Sequence, residues 1–402
     1  MGNMKLSDRV NNVLPSATLA ITARAKELKS EGKDIIGLGA GEPDFDTPDH
    51  IKEAAIQAIR DGFTKYTAVD GTPELRQAVV DKFKRDNQLS YELDQVLVSC
   101  GGKQSSFNLA QALLNEDDEV IIQAPYWVSY PDIVKLAGGV PVIVETGLAD
   151  GFKLSPEKLQ AAITDKTRLF IINSPSNPTG VAYTRAELEQ LAEVLRQHPD
   201  IIIATDDMYE HILWTEEPFV NIVNAAPDLY DRTVVMNGVS KAYSMTGWRI
   251  GYAGGPRELI KAMKKVQSQS TSNPTSISQV AAQAALEGDQ SCIEPMLKAF
   301  KERHDYVVAR LNAMPEVSCL ESSGTFYALP DISPILKKAG MNDVELCEKL
   351  LNESHVALVP GAAFGAPGYI RLSYATSMEN LSNALDRIEL FFSKIVQNQP
   401  LT

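Results

Sequence analysis

Val96-Leu97-Val98-Ser99-Cys100-Gly101-Gly102-Lys103-Gln104 joins a short β-rich run to a helical pattern through a Gly-Gly turn. The same alternation continues to about Gln269. Helical patterns at Lys103–Leu114, Tyr130–Leu136, Pro156–Ile163, Arg185–Gln197 and Arg257–Val266 separate β-rich runs. Those runs are Glu119–Gln123, Val140–Glu145, Arg168–Asn173, Ile201–Thr205, Val234–Gly238 and Ile250–Ala253. Most are continuous Val/Ile stretches rather than polar–apolar alternations, which marks strands buried on both faces. The predicted fold class is therefore α/β, with a mainly parallel sheet covered by helices. Beyond about residue 290 the texture changes. Helical stretches at Glu294–Asn312, Val344–Glu353 and Met378–Ile395 enclose short β-like pieces at Val317–Leu320, Thr325–Leu329, Ala357–Val359 and Tyr369–Ser373. We expect a large domain over residues 48–293, and a smaller α+β domain formed by residues 1–47 together with 294–402.

Composition narrows the partners. The 402 residues carry 38 Lys+Arg against 52 Asp+Glu, a formal charge of -14. With no basic cluster, such a chain repels nucleic-acid backbones and anionic membrane surfaces, so neither is an expected partner. Four cysteines (Cys100, Cys292, Cys319, Cys347) without a Cys-x-x-Cys pair form neither a disulfide framework nor a zinc motif. No metal is expected. The first residues lack the apolar core of a signal peptide. The longest uncharged stretch, Val266 to Leu286, is too rich in Ser, Thr, Gln and Asn to span a bilayer. A cytoplasmic location is the expectation.

One lysine stands out by its surroundings, Asn237-Gly238-Val239-Ser240-Lys241-Ala242-Tyr243-Ser244-Met245-Thr246-Gly247-Trp248-Arg249. A single lysine is ordinarily a solvated surface charge. Lys241, however, follows a buried-type strand among small and aromatic residues, where desolvation lowers the amine's pKa and makes it a nucleophile toward carbonyls. Arg249, eight residues on, supplies a fixed cation suited to a phosphate. Between strand and helix, the turn at Gly101-Gly102 offers free amides and the helix dipole to an anion. Asp206, in Ile201-Ile202-Ile203-Ala204-Thr205-Asp206-Asp207-Met208-Tyr209, ends a strand, where α/β sites lie. A helix cap is the competing reading for Asp206, a plain turn for Asn173–Gly180, core packing for Trp127 and a surface ion pair for Arg371.

Taken in order and spacing, these stretches resemble the fold type I pyridoxal-phosphate (PLP) aminotransferases, and most of all the bacterial aspartate aminotransferases of class I, subgroup beta. The resemblance covers almost the whole chain. It implies PLP as cofactor, held by Lys241 as a Schiff-base lysine. Gly102, Lys103, Ser240 and Arg249 would surround its phosphate. Asp206 would pair with the pyridinium, a carboxylate keeping that nitrogen protonated as an electron sink. Tyr209 and Asn177 would bond the phenolic oxygen, and Trp127 would stack on the ring. The family more often has Asp-Glu where this chain has Asp206-Asp207; the position that matters is intact.

On the substrate side, the resemblance implies that Arg371, in Gly368-Tyr369-Ile370-Arg371-Leu372-Ser373, binds the α-carboxylate, for which a guanidinium fork is the natural partner. Gly41 would touch the same carboxylate through its backbone. Asn177 and Trp127 would also border the substrate. Tyr66 would reach the phosphate of a partner subunit, which implies a homodimer. For the substrate's distal carboxylate we expect Lys103, with Ser16 and Thr18 closing over it as hydroxyl donors. The alternative for Lys103 is that it only neutralises the phosphate.

The implied reaction is transamination between L-aspartate and 2-oxoglutarate, giving oxaloacetate and L-glutamate. Alternatives on the same fold are glutamate, prephenate or aromatic amino-acid aminotransferases. Val13-Leu14, ahead of Pro15-Ser16, stands where prephenate users more often carry a base, which counts against prephenate. More distant readings are a PLP lyase, or a PLP-binding regulator, which would need a DNA-binding module.

Overall fold

The computed structural model describes residues 4–13, 15 and 17–397. Seven strands form one sheet in the spatial order Val96–Ser99, Gly251–Gly254, Thr233–Gly238, Ile202–Asp206, Thr167–Asn173, Glu119–Ala124, Val140–Glu145. Gly251–Gly254 runs antiparallel to both of its neighbours, and the other pairings are parallel. Successive residues of the central strands point to opposite faces. Ile121, Phe170, Ile172, Ile203 and Val235 belong to one buried apolar cluster, and their neighbours Val120, Ile122, Leu169, Ile171, Ala204 and Val234 belong to another. Both faces are therefore dry. This is why the sequence reads as unbroken apolar runs.

Helix boundaries follow local chemistry. Thr184 caps Arg185–Arg196 by accepting from the Glu187 N–H, and the Glu187 carboxylate accepts in turn from the Thr184 N–H. Leu188, Leu191, Ala192 and Leu195 recur at helical spacing on its buried face. The region around residue 280 escaped the sequence reading: Ser276–Glu287 is a helix built on small residues, with Ala281, Ala282 and Ala285 buried beside the helix Asp49–Arg60.

The remaining strands are short. Val359–Pro360, Ile370–Ser373 and Tyr327–Ala328 form a three-stranded antiparallel sheet. Ile36–Gly37 pairs in parallel with Val356–Ala357. The expected strands at Val317–Leu320 and Thr325–Leu329 are cut down to a single bridge, Ser318 to Asp331, and the two residues Tyr327–Ala328. Gly324 explains part of this. It lies against Ile212, where an added Cβ would meet the carbonyl oxygen at 2.4 Å, so the chain there serves a close backbone contact rather than a longer ladder.

Candidate active site

Six of the seven strands end at one edge of the large sheet, and five of those ends build the site. Ser99 and Gly238 both pair with Gly251 there, while Asn173 pairs with Asp206. Asp206 is the last residue of its strand, the turns beyond the other strand ends carry Gly101-Gly102, Trp127, Asn177 and Lys241, and Arg249 lies just ahead of Gly251. Opposite them stand Gly41, Arg371 on its short strand, and Thr18 on the helix Ala17–Ser30. The cleft between them holds about 430 Å³. It is lined by Thr18, Gly41, Gly102, Lys103, Trp127, Asn177, Asp206, Tyr209, Ser240, Lys241, Arg249 and Arg371, so twelve of the expected positions converge. Tyr66 does not; its side chain is 91% exposed, outside this cavity. Ser16 lies outside the described residues.

Charge in the cavity is unbalanced. Among the described residues lining it, Lys103, Lys241, Arg249 and Arg371 face only Glu42 and Asp206. The four cations rest on neutral groups. Lys241 Nζ donates to the Gly41 carbonyl at 2.5 Å, and Arg249 Nη1 donates to the Thr246 carbonyl at 2.9 Å. Lys103 Nζ lies over the Trp127 ring at 5.2 Å. Arg371, 2% exposed, donates to Asn177 Oδ1 at 2.9 Å and to the Gly39 carbonyl at 2.7 Å, while its Nε is buried without a partner. Rings on Tyr327 and Phe364 stand 4.4 and 4.8 Å from its guanidinium carbon. A buried cation without an acid partner is costly, and an incoming carboxylate would remove that cost.

Burial moves the titrations. The Lys241 amine is pushed down to about 8, first by loss of solvent and then by the Arg371 charge. Lys103 is lowered by burial and by Arg249. Burial raises the Asp206 carboxyl, opposed by the Tyr130 hydroxyl, which donates to Oδ2 at 2.6 Å. Among the described residues, Asp206 Oδ1 accepts only from the Met208 N–H, at 3.3 Å. An amine with a pKa near 8 keeps a neutral fraction near physiological pH, and that fraction can attack a carbonyl. Beside it, Asp206 can accept from a protonated ring nitrogen.

Two glycines make the anion-binding turn. Gly101 has φ +84°, and a Cβ on it would lie 2.3 Å from Arg249 Nη2. A Cβ on Gly251 would lie 2.3 Å from the Gly102 nitrogen. Only bare backbone lets the guanidinium, the strand Gly251–Gly254 and the start of the helix Gly102–Leu113 converge.

The sequence reading gave no role to Tyr327, Glu42, Tyr130 or Met208. Tyr327 Oη shares a 2.9 Å hydrogen bond with Tyr209 Oη, and Gly41 leaves it room, since a Cβ there would stand 2.9 Å from Tyr327 Oη. Tyr130 had a signal, lying three residues after Trp127 at a helix start, but its partner Asp206 is 76 positions away.

The family model for aminotransferases of class I and II matches residues 33–388. Among the relatives, a protein named aspartate/prephenate aminotransferase of Nitrosomonas europaea is 58% identical over 97% of this chain and 100% of that protein. An aspartate aminotransferase of Bacillus sp. is 50% identical over 96% of this chain and 98% of that protein. In structure, the chain resembles the aspartate aminotransferase of Rhizobium meliloti, at 49% identity and TM-score 0.93, covering 97% of this chain and 99% of that one. It also resembles the Thermus thermophilus aspartate aminotransferase with maleate, at 46% identity and TM-score 0.91, covering 96% and 100%.

Proposed function

From the premise that the chain belongs to the class I and II aminotransferases, we propose that it transfers the amino group of L-aspartate to 2-oxoglutarate with PLP as cofactor. The carrying observation is Arg371, a buried cation whose hydrogen bonds, among the described residues, go only to neutral oxygens. The relatives' names support aspartate, and the maleate of the Thermus thermophilus structure is likewise a small dicarboxylate.

The cavity fits the cofactor. Backbone amides at the start of Gly102–Leu113, with Ser240 and Arg249, would hold its phosphate. Asp206 would accept from the ring nitrogen, Trp127 would cover a ring face, and Tyr209 with Asn177 would bond the phenolic oxygen. When bound, PLP supplies the carbonyl carbon that carries the amino group and the electron sink that makes the substrate's α-proton acidic.

The chain's own residues do the rest. Arg371 and the Gly41 backbone hold the α-carboxylate and so orient the α-carbon. Lys241 anchors the cofactor and, once released, moves the α-proton as base and then acid; an amine with a pKa near 8 suits both roles near neutral pH. Lys103 meets the distal carboxylate, with Thr18 at the cavity wall; the Thr18 hydroxyl is buried and unpartnered. Expulsion of water by the substrate strengthens each of these charged contacts.

Residues 1–47 with 294–402 act as the smaller domain, a division supported by the pairing of Ile36–Gly37 with Val356–Ala357. Tyr66, exposed here, completes the phosphate site of a second copy in a homodimer. Free Cys100, Cys292, Cys319 and Cys347 favour a reducing cytoplasm. Among the described residues, no helix is long and apolar enough to cross a membrane.

Aspartate and 2-oxoglutarate should yield oxaloacetate and glutamate with PLP present. If purified, PLP-loaded protein produces neither, the reading fails. A second reading adds prephenate as amino acceptor. Two relatives named aspartate/prephenate aminotransferase, 55% and 58% identical, favour it against the sequence mark at Val13-Leu14. Prephenate in place of 2-oxoglutarate tests it.

A further inference from the structure

We propose that Tyr130 is a positioning residue for the cofactor's ring nitrogen, acting through Asp206 rather than by touching the cofactor. This rests on the PLP reading above. Tyr130 sits on the helix Ser129–Leu136, 3% exposed, and its hydroxyl donates to Asp206 Oδ2 at 2.6 Å. That is the only side-chain hydrogen bond the Asp206 carboxylate receives among the described residues; its other donor is the Met208 N–H, at 3.3 Å. The Tyr130 ring meets Trp127 edge-on, with centroids 5.2 Å apart. One side chain therefore links the ring-covering indole to the nitrogen-binding carboxylate.

The chemistry gives the link a purpose. A carboxylate at the end of a buried strand is driven toward its neutral form, and a hydroxyl donor favours the ionised form. The Tyr130 phenol is itself held well above its usual range, by burial and by Asp206, so it remains a donor throughout the working pH range. With the donor in place, Asp206 stays an anion and a proton shared with a pyridine stays on the ring. Without it, the carboxyl competes for that proton and the electron sink weakens.

Tyr130→Phe removes only the hydroxyl and keeps the edge contact with Trp127. The test compares dissociation constants of the full chain loaded with PLP or with its 1-deaza analogue, which has no ring nitrogen. The expected result is about tenfold weaker PLP binding in Tyr130→Phe, a charge-assisted bond's usual weight, with the analogue changed less than twofold. In an Asp206→Asn background, adding Tyr130→Phe should not weaken PLP further. Equal losses for both cofactors would make Tyr130 a packing residue and overturn the proposal. Unchanged PLP binding would overturn it as well. If the unaltered chain holds neither cofactor, the PLP reading itself fails, which is a distinguishable result.

Discussion

Two buried cations, Lys82 and Arg371, are treated in opposite ways. Lys82, 1% exposed, meets Glu210 and Asn87 Oδ1, while Asn87 and Asn237 amides donate to the remaining lone pairs of Glu210. Every strong charge there has its partner inside the chain. Among the described residues, Arg371 has carbonyl and amide oxygens, two ring faces and an unpartnered Nε, but no carboxylate. A protein that can satisfy one buried cation fully and leaves the other short has reserved the second for something it does not contain. Lys241 and Lys103, with neutral contacts and lowered pKa values, belong with Arg371.

The strongest way to break this contrast is at Lys241. Lys241→Ala should lower transamination at least ~10⁴-fold, because anchoring and proton transfer are lost together. Loss of less than a hundredfold in steady-state turnover would remove Lys241 from the chemistry.

The contrast itself predicts opposite stability effects. Lys82→Met strands the Glu210 charge and should cost about 3–5 kcal/mol in urea unfolding, most of it recovered in the Lys82→Met/Glu210→Leu double variant. Arg371→Met removes an unsatisfied charge, so its stability should stay within about 1 kcal/mol of the unaltered chain while kcat/KM for aspartate collapses. Similar destabilisation by the two single variants would mean that Arg371 is a structural cation after all.

A pH series sharpens the same point. Lys241 titrates near 8 folded and at its ordinary 10.5 unfolded, so between those values the unfolded chain binds more protons and stability rises with pH. Below pH 8 the full cost, about 3 kcal/mol, burdens the cofactor-free protein. Cofactor-free Lys241→Met should therefore unfold at higher urea than the unaltered chain at pH 7, with the gap closing toward pH 10.5. A gap that widens with pH would contradict the assignment.

The smallest effect separates the two roles of Lys103. If Lys103 meets the distal carboxylate, Lys103→Ser should cost aspartate about 2–3 kcal/mol in kcat/KM and leave phenylalanine nearly unchanged. Equal losses for both donors, with weaker PLP retention, would assign Lys103 to the phosphate alone.

The sequence exposed one half of the site more fully than the other. Asp206 ends a largely apolar strand, and Asn177, Trp127 and Lys241 follow others, so the strand ends, and with them the sheet edge, can be read directly. Arg249 and Gly101-Gly102 were legible through charge and turn chemistry. Pairings across long separations were not. Tyr209 and Tyr327 lie 118 positions apart, and Lys82 and Glu210 lie 128 apart; no local pattern announces either contact. The helix Ser276–Glu287 was hidden for a different reason, since its small and polar residues show little amphipathic contrast although most of them are buried. Short strands near residue 327 were over-read because β-rich composition does not reveal where a backbone contact interrupts a ladder.

The central claim, that the unbalanced cavity is a cofactor site centred on one lysine, is tested most directly by borohydride reduction of the PLP-loaded protein followed by peptide mapping. The account predicts a single labelled peptide with the reduced cofactor on Lys241 Nζ. Label on Lys103, or on any other lysine with Lys241 unmodified, would contradict it.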